Sequence, residues 1–130
     1  MARPPSRHPT ELELQILKIL WRDGAASVRH VRDALVEFKD LAYTSVMTIM
    51  NIMTRKGYLR RAKQDGRYIY IPRTTEQTVS RQMLRDVVTR VFDGSATAVM
   101  LNLLESHDID AGELEQLRLL INRKAREEKQ

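Results

Sequence analysis

The feature that most restricts the fold of this chain is a change in the spacing of its apolar residues near Gly57. Before Gly57 they recur at helical intervals, whereas residues 58–63 and 67–71 are typical of β-strands on either side of the turn sequence Gln-Asp-Gly. Gly57 is suited to end a helix, and Pro72 to close the second strand. We therefore predict helices up to Gly57, followed by a β-hairpin.

Three helices are predicted ahead of the hairpin. Thr10 and Glu13 have the spacing of a capping box at the start of the first helix, and Ser27 is a suitable N-cap for the second. Three helices followed by a basic hairpin make a winged helix-turn-helix, predicted here for residues 1–73, with residues 1–9 as a flexible arm. The second helix carries a narrow apolar stripe made of Val28, Val31, Leu35 and Phe38.

The third predicted helix lies in the stretch AYTSVMTIMNIMTRKG, residues 42–57, and has two different faces. The apolar residues of one face follow the spacing of a core-facing side: Val46, Ile49, Met50 and Met53. The opposite stripe carries short hydrogen-bonding side chains and ends in a cation: Thr44, Thr48, Asn51 and Arg55. Since a face turned only to water usually carries Lys and Glu, we expect this stripe to contact a partner.

DNA is the partner that this arrangement favours. The second helix of a helix-turn-helix motif lies in the major groove, where Thr hydroxyls and the Asn amide pair with base edges. Met47, at the edge of the stripe, is suited either to a thymine methyl group or to filling a gap in the core. The resulting candidates for base contact from the stripe and its edge are Thr44, Met47, Thr48 and Asn51.

The distribution of charge agrees with a polyanion partner for the first half of the chain. The net charge is +5, but residues 1–73 hold 14 Lys and Arg against 7 Asp and Glu, while residues 74–130 hold 8 against 10. Contacts to phosphates set affinity and register rather than sequence choice. The residues predicted to contact phosphates are Ser27, Arg29, Arg55, Arg60, Arg61, Lys63 and Arg67.

A second, helical domain is predicted for residues 74–130, which makes the whole chain mainly α with one small β-hairpin. Thr74 with Gln77, and Asp110 with Glu113, have capping-box spacing. The short helices carry more apolar residues than so small a unit can bury by itself, which predicts a homodimer. The residues assigned to dimer contact are Val88, Val91, Val99, Met100, Leu103, Leu104, Leu117, Leu120 and Ile121.

Other classes of function have little support. The chain has no cysteine, so disulfides and thiolate chemistry are excluded, and no apolar run approaches the roughly 20 residues of a membrane span. His8, His30 and His107 lie in separate segments without the spacing of a metal or acid–base site. We therefore expect a cytoplasmic protein without cofactor or metal that is not an enzyme. The alternative is a winged helix used for protein contacts, with a merely solvated hairpin.

Several segments, in this order, resemble the penicillinase-repressor family, the repressors of beta-lactamase and methicillin-resistance genes and their copper-transport relatives. These segments are TELELQILKILW, SVRHVRDAL, LAYTSVMTIMNIMTRKGYLRR, GRYIYIP and FDGSATAVMLNLLES. The resemblance implies a homodimeric winged-helix repressor that binds an inverted-repeat operator and dimerises through its C-terminal helices. It also implies that the base-contacting residues are Thr44, Ser45, Met47 and Thr48.

The resemblance also bears on how repression would be relieved. The copper branch of the family binds metal through cysteines near the C-terminus, which this chain lacks. The antibiotic branch is relieved when a membrane sensor with a metalloprotease domain triggers cleavage between an Asn and a Phe in the dimerisation half. The matching pair here is Asn102-Leu103, which departs from the family pattern in having Leu for Phe.

Overall fold

The computed structural model describes residues 8–129, which form six helices and one two-stranded sheet. The predicted fold class is therefore confirmed. The elements, in chain order, are α1 (Glu11–Asp23), α2 (Val28–Leu35), α3 (Tyr43–Arg55), β1 (Leu59–Gln64), β2 (Arg67–Pro72), α4 (Glu76–Val91), α5 (Ala96–Ser106) and α6 (Ala111–Glu128).

The chain divides into two compact units inside α4, the first ending at Asp86 and the second beginning at Val87. The sequence placed a domain boundary earlier, at residue 73. The first part of α4 belongs with the winged helix because Val79 is buried in its core. The indole N–H of Trp21 also donates to the carbonyl of Thr74, 2.9 Å away, just before α4 begins.

Helix starts follow the capping signals at three of the four predicted positions. The Thr10 hydroxyl accepts from the amide of Glu13, whose carboxylate accepts from the amide of Thr10 in return. Ser27 caps α2, and Asp110 caps α6. The prediction for Thr74 and Gln77 was wrong by one residue, because the hydroxyl of Thr75 accepts from the amide of Thr78 and caps α4 instead.

Two other local predictions need correction. The second helix ends at Leu35, and Phe38 follows in a tight turn with 46% of its surface exposed, so Phe38 does not extend the buried stripe. The predicted flexible arm lies mostly outside the described residues. Its last two residues are held in place, since Pro9 is fully buried and the His8 ring lies 3.1 Å from the carboxylate of Asp86.

The core of the first unit is built from one face of each helix and from the inner face of the hairpin. α3 contributes three fully buried side chains, and Ile49 packs against them from a partly exposed position. The fully buried apolar side chains of this core are Ile16, Leu17, Val31, Val46, Met50 and Met53, with Leu20, Leu35, Leu59, Tyr70 and Val79 each about 1% exposed.

The hairpin is joined to the helices by backbone hydrogen bonds as well as by packing. β1 and β2 are antiparallel, and Asp65 and Gly66 both adopt positive φ (52° and 76°), the conformation of the tight two-residue turn that matches strand twist. Ala26, just before α2, exchanges two backbone hydrogen bonds with Tyr70 at 2.8 and 3.2 Å. The hairpin, which forms the wing of the winged helix, is thereby fixed to the start of α2.

One buried charge links the start of α1 to the end of α3. Glu13 is only 3% exposed, and the ammonium group of Lys56 lies 3.0 and 3.2 Å from its two carboxylate oxygens. The ammonium group of Lys56 and the amide of Thr10 replace the hydrogen bonds to water that the carboxylate loses on burial. The same residue that caps α1 therefore also holds the C-terminal end of α3.

The helices of the second unit leave most of their apolar surface exposed. α5 and α6 contain no buried residue, and Met100, Leu119 and Ile121 are each more than half exposed. Within residues 8–129 no single helix is long and apolar enough to cross a membrane. Among these residues, only α4 and α5 taken together reach that length and composition, and the chain bends sharply at the break between them.

The two faces of α3 should respond differently to mutation. Met50→Ala removes a fully buried side chain and should lower the free energy of unfolding by about 2–5 kcal/mol through the cavity left behind. Thr48→Ala removes an exposed side chain and should change it by less than about 0.5 kcal/mol. Denaturant unfolding followed by circular dichroism measures both. A larger loss for Thr48→Ala than for Met50→Ala would mean that the faces are assigned the wrong way round.

Candidate nucleic-acid interface

The outer face of α3 is polar, exposed and free of acidic groups. Because Val46, Met50 and Met53 point into the core, residues on the opposite side of the helix must point to solvent. Thr44, Ser45 and Thr48 are indeed exposed. Three of the five residues predicted to contact bases thus share one accessible surface.

The hydroxyl of Thr48 has a fixed orientation. It donates to the carbonyl of Thr44 at 2.9 Å, one turn earlier in the helix. Its proton is therefore engaged, while its lone pairs and its methyl group remain available. At a base edge, Thr48 is thus suited to accept from an amino group or to contact a thymine methyl, rather than to donate a hydrogen bond.

The structure places the other two predicted base-contacting residues differently. The side-chain carbonyl of Asn51 accepts a 2.7 Å hydrogen bond from the hydroxyl of Tyr70 in β2, and Asn51 is only partly exposed. A bidentate pair with adenine requires the same carbonyl oxygen, so the geometry gives Asn51 a role in holding the wing against α3. Met47 is also partly buried and packs against the core.

The four basic residues predicted on the wing are all exposed but lie on two faces of the hairpin. Residues alternate between the faces of a strand, and the register pairs Arg61 with Tyr70 and Lys63 with Tyr68. One face of the hairpin therefore carries Arg61, Lys63, Tyr68 and Tyr70. From this face the Tyr70 hydroxyl reaches α3. Arg60 and Arg67 lie on the opposite face, by the same alternation.

The Tyr68 ring contacts two cations on its own face of the wing. The Arg61 guanidinium lies 4.3 Å from the centre of the Tyr68 ring, and the Lys63 ammonium lies 5.6 Å from it. Both distances are within the range of a cation–π interaction. The ring thus restrains two long side chains that would otherwise lose more entropy on binding. Sequence analysis did not assign Tyr68 a role, although a Tyr between basic strand residues is a recognisable signal.

The start of α2 and the wing border an open cleft of about 700 Å³. Ser27, Arg29 and Arg67, all predicted to contact phosphates, line it. Arg32, Tyr43 and Tyr68 line it as well, and were not predicted from the sequence because they lie on different elements that only the folded chain brings together. Arg55, the remaining predicted phosphate contact, is exposed in the last turn of α3 and is not among the cleft residues.

The described residues provide no competing chemical site. No three His, Asp or Glu side chains among residues 8–129 are grouped so that they could hold a metal ion. His30 lies 2.8 Å from Asp23, which also pairs with Arg22, and these hydrogen bonds keep the pKa of the Asp23 carboxyl well below its usual value. These contacts form an exposed ion-pair cluster between the end of α1 and the start of α2.

Comparison with known proteins places this surface in context. The family model described as penicillinase repressor matches residues 9–123, which covers both units. The methicillin resistance regulatory protein MecI of Staphylococcus aureus strain N315 is 23% identical over 112 residues, or 86% of this chain and 91% of that protein.

Two further relatives agree with this match. The penicillinase repressor of Bacillus licheniformis is 20% identical over 108 residues, covering 83% of this chain and 84% of its own length. The transcriptional regulator BlaI of Mycobacterium tuberculosis strain H37Rv is 29% identical over 110 residues, covering 83% of this chain and 78% of its own length. This chain therefore belongs to the penicillinase repressor family, whose members are transcriptional regulators rather than enzymes.

Proposed function

We propose that the protein is a homodimeric transcriptional repressor that binds an inverted-repeat DNA operator through the major groove. The observation that carries the proposal is the outer face of α3, where Thr44, Ser45 and Thr48 are exposed beside a wing with four exposed cations. A polar, uncharged helix face suits base edges, and flanking cations suit the phosphates on either side. The protein would act in the cytoplasm, where an operator is accessible.

Specificity and affinity are assigned to different elements. In this proposal α3 lies in the major groove and contacts bases, with Thr48 accepting from an amino group or touching a thymine methyl. The wing contacts phosphates through Arg61 and Lys63 on one face and Arg60 and Arg67 on the other. Arg29 and the cap residue Ser27 contact the backbone from the start of α2, and Arg55 from the end of α3.

Dimerisation is proposed for the second unit because its helices leave so much apolar surface uncovered. Val91, Met100, Leu103, Leu104, Leu117, Leu120 and Ile121 are between 39% and 67% exposed. Burial in a symmetric dimer would remove this surface from water, at about 25 cal/mol for each Å². Val88 and Val99, which are partly buried, complete the proposed contact.

Relief of repression is proposed to follow cleavage at or near Asn102-Leu103, triggered by a membrane sensor with a metalloprotease domain. Both residues are exposed in α5. Proteases bind extended backbone, so α5 would have to unwind locally before cleavage. The cut would separate α6 from the rest of the chain and divide the apolar surface that holds the dimer together.

A winged helix that binds another protein is the second candidate. Val36 and Phe38, which follow α2, are 45% and 46% exposed in the first unit and offer apolar surface for such a contact. Selection of bound duplexes from a random-sequence DNA pool separates the two proposals. A repressor should enrich a palindrome with half-sites about 10 base pairs, or a multiple of that, apart, whereas a protein-binding module should enrich none.

Base contact by Thr48 can be tested with three substitutions. Thr48→Ser keeps the acceptor oxygen, Thr48→Val keeps the methyl group, and Thr48→Ala removes both. Thr48→Ala should cost about 1–3 kcal/mol at the selected operator and much less on random DNA. If Thr48→Ser binds the operator more weakly than Thr48→Val, the methyl group contacts the base. If Thr48→Val binds more weakly, the oxygen does. Equal loss by Thr48→Ala on operator and random duplexes would exclude a role in specificity.

Phosphate contact by the wing can be tested through the salt dependence of binding. Replacing Arg60, Arg61, Lys63 or Arg67 with Ala should weaken binding to every duplex alike and lower the slope of log affinity against log salt by about one unit for each lost contact. Preference for the operator should be retained. Lys18→Ala, an exposed charge on α1, is the matched control and should leave the slope unchanged. An unchanged slope after all four wing substitutions would contradict the assignment.

The role of the dimer can be tested with a truncated chain. A fragment ending at Asn102 should sediment as a monomer and lose affinity for the full palindrome, because two linked half-sites bind far more tightly than one. Its affinity for a single half-site should be unchanged. Trp21, the only tryptophan, lies in the first unit, so its fluorescence checks that the DNA-binding unit remains folded. A dimeric fragment with full affinity would rule out this mode of relief.

A further inference from the structure

The cleft between α2, the start of α3 and the wing contains a buried donor without an acceptor. The Nε atom of Arg32 is shielded from solvent and has no hydrogen-bond partner. Buried N–H groups of native proteins are nearly always paired, because an unpaired donor has lost its hydrogen bond to water without gaining another. Because Arg32 lines the cleft, a turn of its side chain toward a ligand there would give the shielded N–H an acceptor.

The other groups around the cleft define the charge of that ligand. Arg29 and Arg67 line the cleft with Arg32, and none of the described lining residues is acidic. Three guanidinium groups without a counter-charge favour an anion, and their planar N–H donors match the oxygens of a phosphate group. Tyr43 and Tyr68 line the same space, and a tyrosine hydroxyl can donate a further hydrogen bond.

The position of the cleft indicates where the phosphate comes from. Tyr43 and Met47 line the cleft and belong to α3, immediately beside the base-facing residues Thr44 and Thr48. A DNA strand that borders the groove occupied by α3 would therefore pass the mouth of the cleft. The cleft is open to solvent, as a phosphodiester on a continuous strand requires.

We propose that this cleft binds one backbone phosphate of the DNA, with Arg32 as its central ligand and Arg29 and Arg67 at its sides. The inference rests on the proposed DNA-binding function and adds to it a residue that no other argument assigns. Residues from α2, α3 and the wing would all contact the same phosphate. Arg32 would thus fix the register of α3 along the groove rather than the choice of base.

The test compares Arg32→Met with Arg81→Met. Arg32→Met keeps an unbranched apolar side chain similar to the aliphatic part of Arg but removes the guanidinium, whereas Arg81→Met removes one exposed charge from α4. Binding to a mixed-sequence duplex is measured over a series of salt concentrations. Arg32→Met should weaken binding about tenfold to a hundredfold and lower the salt slope by about one unit. Its unfolding midpoint should not fall, because the lost donor has no partner in the free protein. Arg81→Met should match the wild type.

Two results overturn the inference and leave the proposed function standing. One is an Arg32→Met variant with the affinity and salt slope of a wild type that binds DNA. The other comes from an NMR titration of the folded wild type, in which the Arg32 Nε–H resonance does not move when duplex is added. That resonance is assigned by its absence from the spectrum of Arg32→Lys. Failure of the wild type to bind any duplex would instead overturn the proposed function itself.

The same resonance distinguishes DNA from a free anion, and it does not depend on the stability of a variant. At constant ionic strength it should shift with duplex and stay in place with inorganic phosphate, because a single free phosphate lacks the neighbouring contacts of a bound strand. Saturation by inorganic phosphate, with release of the duplex, would assign the cleft to a free phosphate ligand and contradict the proposal.

Discussion

The polar surface proposed to contact DNA depends on how α3 is rotated about its own axis, and that rotation is fixed by the burial of Val46, Met50 and Met53. Successive residues of a helix are separated by about 100°, so three buried positions on one side determine what the other side presents. Each of the three is completely shielded from solvent. A rotation by a single position would expose part of the core and bury Thr44 or Thr48 without partners. The stability of the fold and the direction of the polar face are therefore set by the same contacts.

The wing is positioned by a second set of contacts that centre on Tyr70. Its backbone pairs with Ala26 ahead of α2, its ring is buried, and its hydroxyl donates to Asn51 on α3. One residue of β2 is thus connected both to the segment ahead of α2 and to α3. Arg61, Lys63 and Tyr68 share its face of the hairpin, so the same attachment that holds the wing also orients its cations. Cations placed on a rigid support lose less entropy when they bind phosphates.

The two units differ in how complete they are as isolated structures. The first has a continuous core to which four helices and the hairpin contribute, together with a buried carboxylate that is paired with Lys56. In the second, α5 and α6 bury none of their residues. Under the proposed function, control would act through this second unit, because linking two weak DNA-binding units changes operator affinity without any change in their surfaces.

The sequence by itself determined the order of the elements, the caps of α1, α2 and α6, and the two faces of α3, because these depend on the spacing and chemistry of neighbouring residues. Thr10 with Glu13, and the turn at Asp65-Gly66, are local signals of this kind. Only the tertiary structure decided that Asn51 bonds to Tyr70, that Lys56 pairs with Glu13, and that Arg32 faces a cleft beside the wing. Each of these joins residues on different elements, and sequence spacing carries no information about how one element packs against another.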